Sequence, residues 1–251
     1  MKALVTGASS GIGYSIARYL SKIGYELIVV ARRKDCLENL RRECKTKVKI
    51  IDLDLSIISN MYKLYDLTKE DDIDILINNA GVGLYGEFYD IDVSKEIGML
   101  NLNVIATDVL TKLYLKDMVK KNRGKILNVS SVLGFMPGPL MSSYYASKAY
   151  ITSMSRAINT ELRMKKINVV VSTLCAGAVD TNFNSDLGVS FFVPPSNSQK
   201  VAEYAINKLL KNKEVIVPGA FNKFTHILNK IIPINISKYL LYITQNGKRY
   251  Y

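Results

Sequence analysis

From residue 2 onward, apolar runs of strand length alternate with amphipathic runs of helix length, and no other feature of the chain limits its fold as strongly. Strand-like segments fall at 2–6, 26–31, 48–52, 74–78, 124–130, 168–174 and 214–217. Helical segments fall near 12–23, 34–44, 57–69, 94–121, 144–166 and 198–211. The run Ile73-Asp74-Ile75-Leu76-Ile77 reads as a strand covered on both faces, as parallel sheets require. This alternation predicts an α/β fold with a doubly wound, mostly parallel sheet and right-handed crossovers. With 251 residues, 48% of them hydrophobic, the chain can bury one substantial core. Ligands of such sheets gather beyond the carboxyl ends of the strands.

Those strand ends carry the chemically suggestive residues. Lys2-Ala3-Leu4-Val5 runs into Thr6-Gly7-Ala8-Ser9-Ser10-Gly11-Ile12-Gly13, after which Ile12, Ile16, Tyr19, Leu20 and Ile23 recur at helical spacing. Strand, glycine-rich turn and helix, in that order, are what a phosphate-binding turn needs. The glycines permit tight backbone angles and close approach to a pyrophosphate at the positive end of the helix. Further along, Tyr144 and Lys148 stand four residues apart and project from one helical face. A free phenol, with a pKa near ~10, exchanges protons poorly at neutral pH. A cation beside it favours the phenolate and is expected to bring Tyr144 toward the working range.

Composition excludes several alternatives. The single histidine, His226, sits between Thr225 and Ile227 without a companion motif, so histidine-based hydrolysis and histidine-rich metal centres do not fit. Cys36, Cys44 and Cys175 lack metal or redox spacing and are odd in number, which predicts structural thiols in a reducing, cytoplasmic setting. The formal charge is +12, but the lysines are scattered and no nucleic-acid-binding signature accompanies them, so no nucleic-acid partner is expected. Strand-like sequence begins directly after Met1, so no leader is expected, and no apolar run reaches the roughly 18 residues of a membrane span.

Together these residues resemble the short-chain dehydrogenase/reductase family over about residues 2–218. The elements carrying the resemblance are Thr6-Gly7-x-x-x-Gly11-Ile12-Gly13, Asp54-Leu55, Asn78-Asn79-Ala80-Gly81, Asn103, Ser131 and Tyr144-x-x-x-Lys148. The resemblance implies a Rossmann fold and an oxidoreductase acting on CH–OH or C=O groups with a nicotinamide cofactor. It implies that Ser131 hydrogen-bonds the substrate carbonyl and Tyr144 transfers the proton. Lys148 would bind the nicotinamide ribose and tune Tyr144, and Asn103 would hold a water of the proton relay. Tyr145, Ser130 and Asn101 are the neighbouring decoys. Gly7, Ser9, Ser10, Gly11, Ile12 and Gly13 would receive the dinucleotide phosphates. Asn79, Ala80 and Gly81 would pack against the cofactor, and Asp54 with Leu55 would meet the adenine, although Asp54 could equally cap the next helix. Gly177, Val179 and Thr181 would line the cofactor after the sixth strand; Gly177 and Thr181 keep the family spacing there, but Ala176 replaces the usual proline and leaves the turn less preset.

The coenzyme can be argued physically. The end of the second strand reads Ala31-Arg32-Arg33, with no acid until Asp35. Two guanidiniums there offer bidentate contacts to a 2′-phosphate, so NADP(H) is expected over NAD(H). Val82, Leu84, Leu133, Phe135, Met136, Leu140 and Met141 are expected to border an apolar substrate pocket. The segment 182–196, with Phe183, Phe191, Phe192 and Pro194-Pro195, is a candidate lid. The predicted activity is carbonyl reduction with a Ser131–Tyr144–Lys148–Asn103 set. Two rival readings remain, a non-catalytic NADP-binding regulator and a reductase of acyl or lipid ketones at a membrane surface.

Residues 219–251 form a basic extension of short amphipathic helices broken at Pro233, expected to pack on the 1–218 domain and open to peripheral membrane contact. A homodimer or homotetramer through the long helices after Asn103 and Tyr144 is implied by the resemblance.

Overall fold

The computed structural model describes residues 1–181, 183, 194–228 and 232–246. Its first half runs β1 (Lys2–Thr6), α1 (Gly11–Lys22), β2 (Glu26–Ala31), α2 (Lys34–Glu43), β3 (Val48–Asp52), α3 (Ile58–Asp66) and β4 (Ile75–Asn78). Next come α4 (Val93–Leu100), a π-helical turn (Asn101–Ile105), α5 (Ala106–Lys121), β5 (Gly124–Ser131) and a 3-10 turn (Val132–Phe135). The remainder is α6 (Ser142–Met164), β6 (Val169–Ala176), α7 (Ser198–Leu210), β7 (Val215–Ile216), α8 (Ala220–Leu228) and α9 (Ile234–Asn246).

The seven strands form one sheet in the order β3-β2-β1-β4-β5-β6-β7, and each pairing is parallel. The chain winds outward from β1 in one direction, then crosses to β4 and winds in the other, which is the doubly wound Rossmann arrangement. The reversal between β1 and β4 opens a crevice where the Thr6 and Asn78 strand ends meet.

Both faces of the sheet are covered, which explains the continuous apolar runs. In β1, Ala3 and Val5 point into a core shared with Ile16 and Leu20 of α1, Leu37 of α2, and Ala202 and Ile206 of α7. Leu4, on the opposite pleat, joins Met61 and Leu64 of α3, Leu110 and Tyr114 of α5, and Leu162 of α6.

Two departures from the expected elements concern the site. The helix anticipated over 94–121 is interrupted at Asn101–Ile105 by the π turn, a widening of the kind that recurs at functional positions. Strands β5 and β6 run past their expected ends, and their register pairs Ser131 with Ala176. Hydrogen bonding between strands therefore places Ser131 directly beside the turn that follows β6. At the carboxyl end, α9 starts immediately after Pro233, whose carbonyl accepts from Ile236 N (2.9 Å) and Ser237 N (3.2 Å).

Candidate active site

The glycine-rich turn is held from below by Asn79. Its Nδ2 donates to the carbonyls of Thr6 and Gly7, each at 3.1 Å, and its backbone N–H donates to Thr6 Oγ1 at 3.0 Å. A Cβ on Gly13 would lie 2.3 Å from Asn79 Nδ2, and one on Gly7 would lie 2.7 Å from the same atom. Gly7 (φ +65°) and Gly11 (φ +59°) both occupy the left-handed region. A Cβ on Gly11 would meet Thr181 Cγ2 at 2.9 Å, so the first turn and the residues after β6 face each other across the crevice.

These residues fit a dinucleotide. Ser10, at the amino end of α1, makes no side-chain cap, which leaves the first N–H groups of the helix directed at a phosphate position. Arg33 reaches over the same turn and donates through Nη2 to Ser9 Oγ (3.2 Å) and Ser10 Oγ (3.0 Å). Arg32 instead pairs with Asp54 at 3.7 Å. Asp54 Oδ1 accepts from the N–H and hydroxyl of Ser56 at 2.9 and 2.7 Å, a local turn ahead of α3; the helix itself starts from Ile57 without a side-chain cap, so Asp54 is not its cap. Partial burial acts to raise the Asp54 carboxyl, but the Ser56 bonds and Arg32 outweigh it and hold the group below the usual carboxylate range. Leu55 is buried beneath this corner.

Two residues that the resemblance singles out lie on the inner face of α6. Tyr144 and Lys148 are 7% and 5% exposed. Lys148 Nζ lies 5.6 Å from the Tyr144 ring centroid and donates to the Val129 carbonyl at 3.0 Å. Burial, reinforced by Tyr145, pushes the Tyr144 phenol well up, and burial pushes the Lys148 ammonium down to about 8. The expected lowering of Tyr144 by its lysine is thus corrected for this protein taken alone. Both groups sit where water is excluded, and the loss of hydration outweighs one cation at this distance.

Ser131 ends β5 at the same crevice; its Oγ donates to the Ala176 carbonyl and accepts from Leu133 N, both at 3.2 Å. Its decoy Ser130 faces away, donating to the Lys148 carbonyl at 2.8 Å and meeting Thr152 Oγ1 at 2.8 Å. Gly134 lets the 3-10 turn press on α6, since a Cβ there would lie 2.7 Å from the Lys148 carbonyl carbon.

Asn103 is fully buried in the π turn. Its side chain closes a two-way bridge with Val82, donating from Nδ2 to the carbonyl (2.9 Å) and accepting at Oδ1 from the N–H (3.0 Å). A Cβ on Gly81 would stand 3.1 Å from Asn103 Oδ1 and 3.5 Å from Lys148 Nζ, so Gly81, Asn103 and Lys148 meet at one point. Asn101 has no such role in the hydrogen bonds described. Behind them, Asn78 Nδ2 donates to Asn128 Oδ1 (2.9 Å) and Asn128 Nδ2 to Ser155 Oγ (3.0 Å), a buried polar ladder tying β4, β5 and α6 together.

Of the expected pocket residues, Val82, Leu84, Leu133, Met136 and Met141 pack around Tyr144 and Tyr145, joined by Met99 and Tyr85. Leu140 is buried, and Phe135 closes the 3-10 turn. Most of the candidate lid, residues 182 and 184–193, lies outside the described residues. Phe183 stands 5.5 Å from the Tyr144 ring, and Ser196 bridges to Val179. Ala176 and Val179 are buried, and Thr181 Oγ1 bonds the Val179 carbonyl at 3.4 Å.

Two site residues were not anticipated. Asn222 of α8 lies against Gly177, where a Cβ would come within 2.3 Å of its Oδ1. Gln245 of α9 is 1% exposed; its Nε2 donates to the Tyr145 hydroxyl, and its carbonyl accepts from the Tyr85 hydroxyl at 2.6 Å. Its Oε1 is buried without a partner. Neither contact has a local signature, because the partners are up to 160 residues apart in sequence.

A doubly wound parallel sheet with a glycine-rich first turn, a buried Tyr–Lys pair and a strand-end serine at one crevice defines a dinucleotide-binding α/β protein. The short chain dehydrogenase family model matches residues 1–189, and the chain belongs to that family. The human very-long-chain 3-oxoacyl-CoA reductase is 34% identical over 177 residues, covering 66% of this chain and 56% of the reductase. The chain therefore spans about half the length of the curated relatives it matches first. Among solved structures, a short-chain dehydrogenase from Sphingobium yanoikuyae in complex with NADPH is 29% identical, with a TM-score of 0.81 covering 87% of this chain and 88% of that one. A bulky-bulky ketone specific alcohol dehydrogenase from Comamonas testosteroni is also 29% identical, with a TM-score of 0.79 and coverages of 92% and 91%.

Proposed function

We propose that the protein is an NADPH-dependent reductase of apolar ketones, the 3-oxoacyl type included, and runs the reverse alcohol oxidation when concentrations demand. The observation carrying this reading is the burial of Tyr144 and Lys148 on one face of α6, with Ser131 delivered to the same crevice by the β5–β6 register. A bound nicotinamide supplies the hydride. The chain aligns and protonates. Ser131 Oγ hydrogen-bonds the substrate oxygen, and the Tyr144 hydroxyl gives its proton to the developing alkoxide. A phenol held neutral by burial is in the protonated state that reduction needs. The Lys148 ammonium binds the ribose and offsets negative charge as Tyr144 gives up its proton, and Asn103 orders the relay behind it.

The fit of Arg33 over Ser9 and Ser10 supports NADP(H) over NAD(H), as does the NADPH bound to the Sphingobium relative. The apolar wall around Tyr144 supports a bulky or acyl-bearing substrate, in keeping with the names of the human and Comamonas relatives. Three unpaired thiols suit the cytoplasm. Exposed Ile105, at the head of α5, and Tyr150 on α6 suit a homodimer or homotetramer through the long helices after Asn103 and Tyr144.

The test follows loss of NADPH absorbance against a panel of bulky ketones and 3-oxoacyl thioesters. Turnover is expected with at least one of them. Tyr144→Phe should reduce it by about 100-fold or more while NADPH still binds. Retained turnover in that variant, or NADPH binding with no turnover across the panel, would reject the reading; the latter leaves a non-catalytic regulator.

A further inference from the structure

Helix α9 carries its apolar stripe on the outside. Ile236, Tyr239, Leu240 and Ile243 recur at the i, i+3, i+4, i+7 spacing that in most helices faces a core, yet they are 55, 67, 55 and 68% exposed. Its one buried residue is Gln245, in the final turn. Helix α8 adds exposed Phe221 and Phe224, and Ile234 is exposed at the start of α9.

Charge narrows what can cover these side chains. From Val215 to the end the sequence holds no Asp or Glu, but it does hold Lys223, Lys230, Lys238, Lys248 and Arg249. A second copy docking by the same face would bring two sets of cations together with no acid in the segment to pair them. An anionic lipid surface supplies the complementary charge and an apolar phase for the stripe. At 13 residues, α9 spans roughly 20 Å, short of the ~30 Å hydrocarbon layer, and among the described residues no helix is long and apolar enough to cross a membrane. A helix of this kind lies on the surface.

We propose that α8 and α9 form a docking face for an anionic lipid surface. The same two helices touch the site, through Asn222 on the Gly177 turn and Gln245 between Tyr85 and Tyr145. A docked protein would hold the substrate wall next to the lipid, where ketones with long apolar bodies concentrate. This deepens the reductase reading and rests on it for the substrate, whereas the docking itself does not depend on turnover.

The experiment is co-sedimentation of the full chain with phosphatidylcholine vesicles, with and without phosphatidylserine. The protein should pellet with the anionic vesicles, and salt should weaken binding. Combining Leu240→Glu with Ile243→Glu should lower the bound fraction about tenfold or more, while turnover of a short, water-soluble ketone stays unchanged and reports an intact fold. Lys223→Gln with Lys238→Gln should weaken binding to the anionic vesicles only. Wild-type protein left in the supernatant, binding indifferent to these substitutions, or a glutamate variant that converts a dimer to monomers would overturn the proposal. Vesicle binding without NADPH oxidation of any ketone in vesicle-free buffer would instead reject the reductase reading and leave the docking face standing.

Discussion

Lys148 holds its ammonium 5.6 Å from the Tyr144 ring centroid while anchored to the Val129 carbonyl at 3.0 Å. The pair the sequence suggested is thus built, but in a dry setting that moves each pKa away from its charged form.

That setting has a consequence for stability. The folded pKa of Lys148, about 8, lies below the ~10.4 of an exposed lysine, so between these values the unfolded chain binds more protons. Stability should then rise with pH from about 8 to 10 through this group. Lys148→Met should raise Tm at pH 7 and lose that part of the pH dependence. Thermal melts of both proteins across the range check it, and parallel curves would refute the assignment. Above about pH 10 the sign reverses, because tyrosines held protonated in the fold, such as Tyr65 at about 12, ionise on unfolding.

Arg33 and Arg32 were expected to act alike, and the structure separates them. Arg33 bonds Ser9 and Ser10, while Arg32 pairs with Asp54. Arg33→Ala should raise the KM for NADPH about tenfold and leave NADH little changed, with a smaller effect from Arg32→Ala. Steady-state kinetics with both coenzymes decide; equal losses for NADPH and NADH would count against a phosphate role.

Gln245 joins α9 to the apolar wall around Tyr144 and Tyr145, the proposed substrate side. Gln245→Met keeps the volume but removes the donor to Tyr145. KM for a bulky ketone should rise about threefold to tenfold, with kcat for a small ketone and the NADPH Kd unchanged. If all three parameters and Tm fell together, Gln245 would be structural only.

The glycine turn has no room for a methyl group. Gly13→Ala would place Cβ 2.3 Å from Asn79 Nδ2 and should cost about 1–3 kcal/mol of stability, read by denaturant unfolding. Adding Asn79→Ala should recover part of the steric loss while weakening NADPH binding, since Asn79 holds the turn from below.

Much of the site could be read along the chain because its residues follow local rules. Gly7, Gly11 and Gly13 obey the angles and clearances of a strand-to-helix turn, and Tyr144 and Lys148 obey the helical repeat. Ser131 was separable from Ser130 only by a family resemblance; the reason, a β5 register that turns Ser130 into α6, lies in strand pairing. The lid segment could be named from its aromatics, and most of it falls outside the described residues.

By itself, then, the order of apolar runs and glycines determined a doubly wound parallel sheet with a phosphate-ready first turn, since period, propensity and backbone angle act between near neighbours. Tertiary structure alone decided the π turn that buries Asn103, the different partners of Arg32 and Arg33, the upward shift of Tyr144, and the return of Gln245 to the apolar wall around Tyr145. Each depends on burial or on contacts between residues far apart in sequence, and the free energy of such contacts exists only once the chain has closed around them.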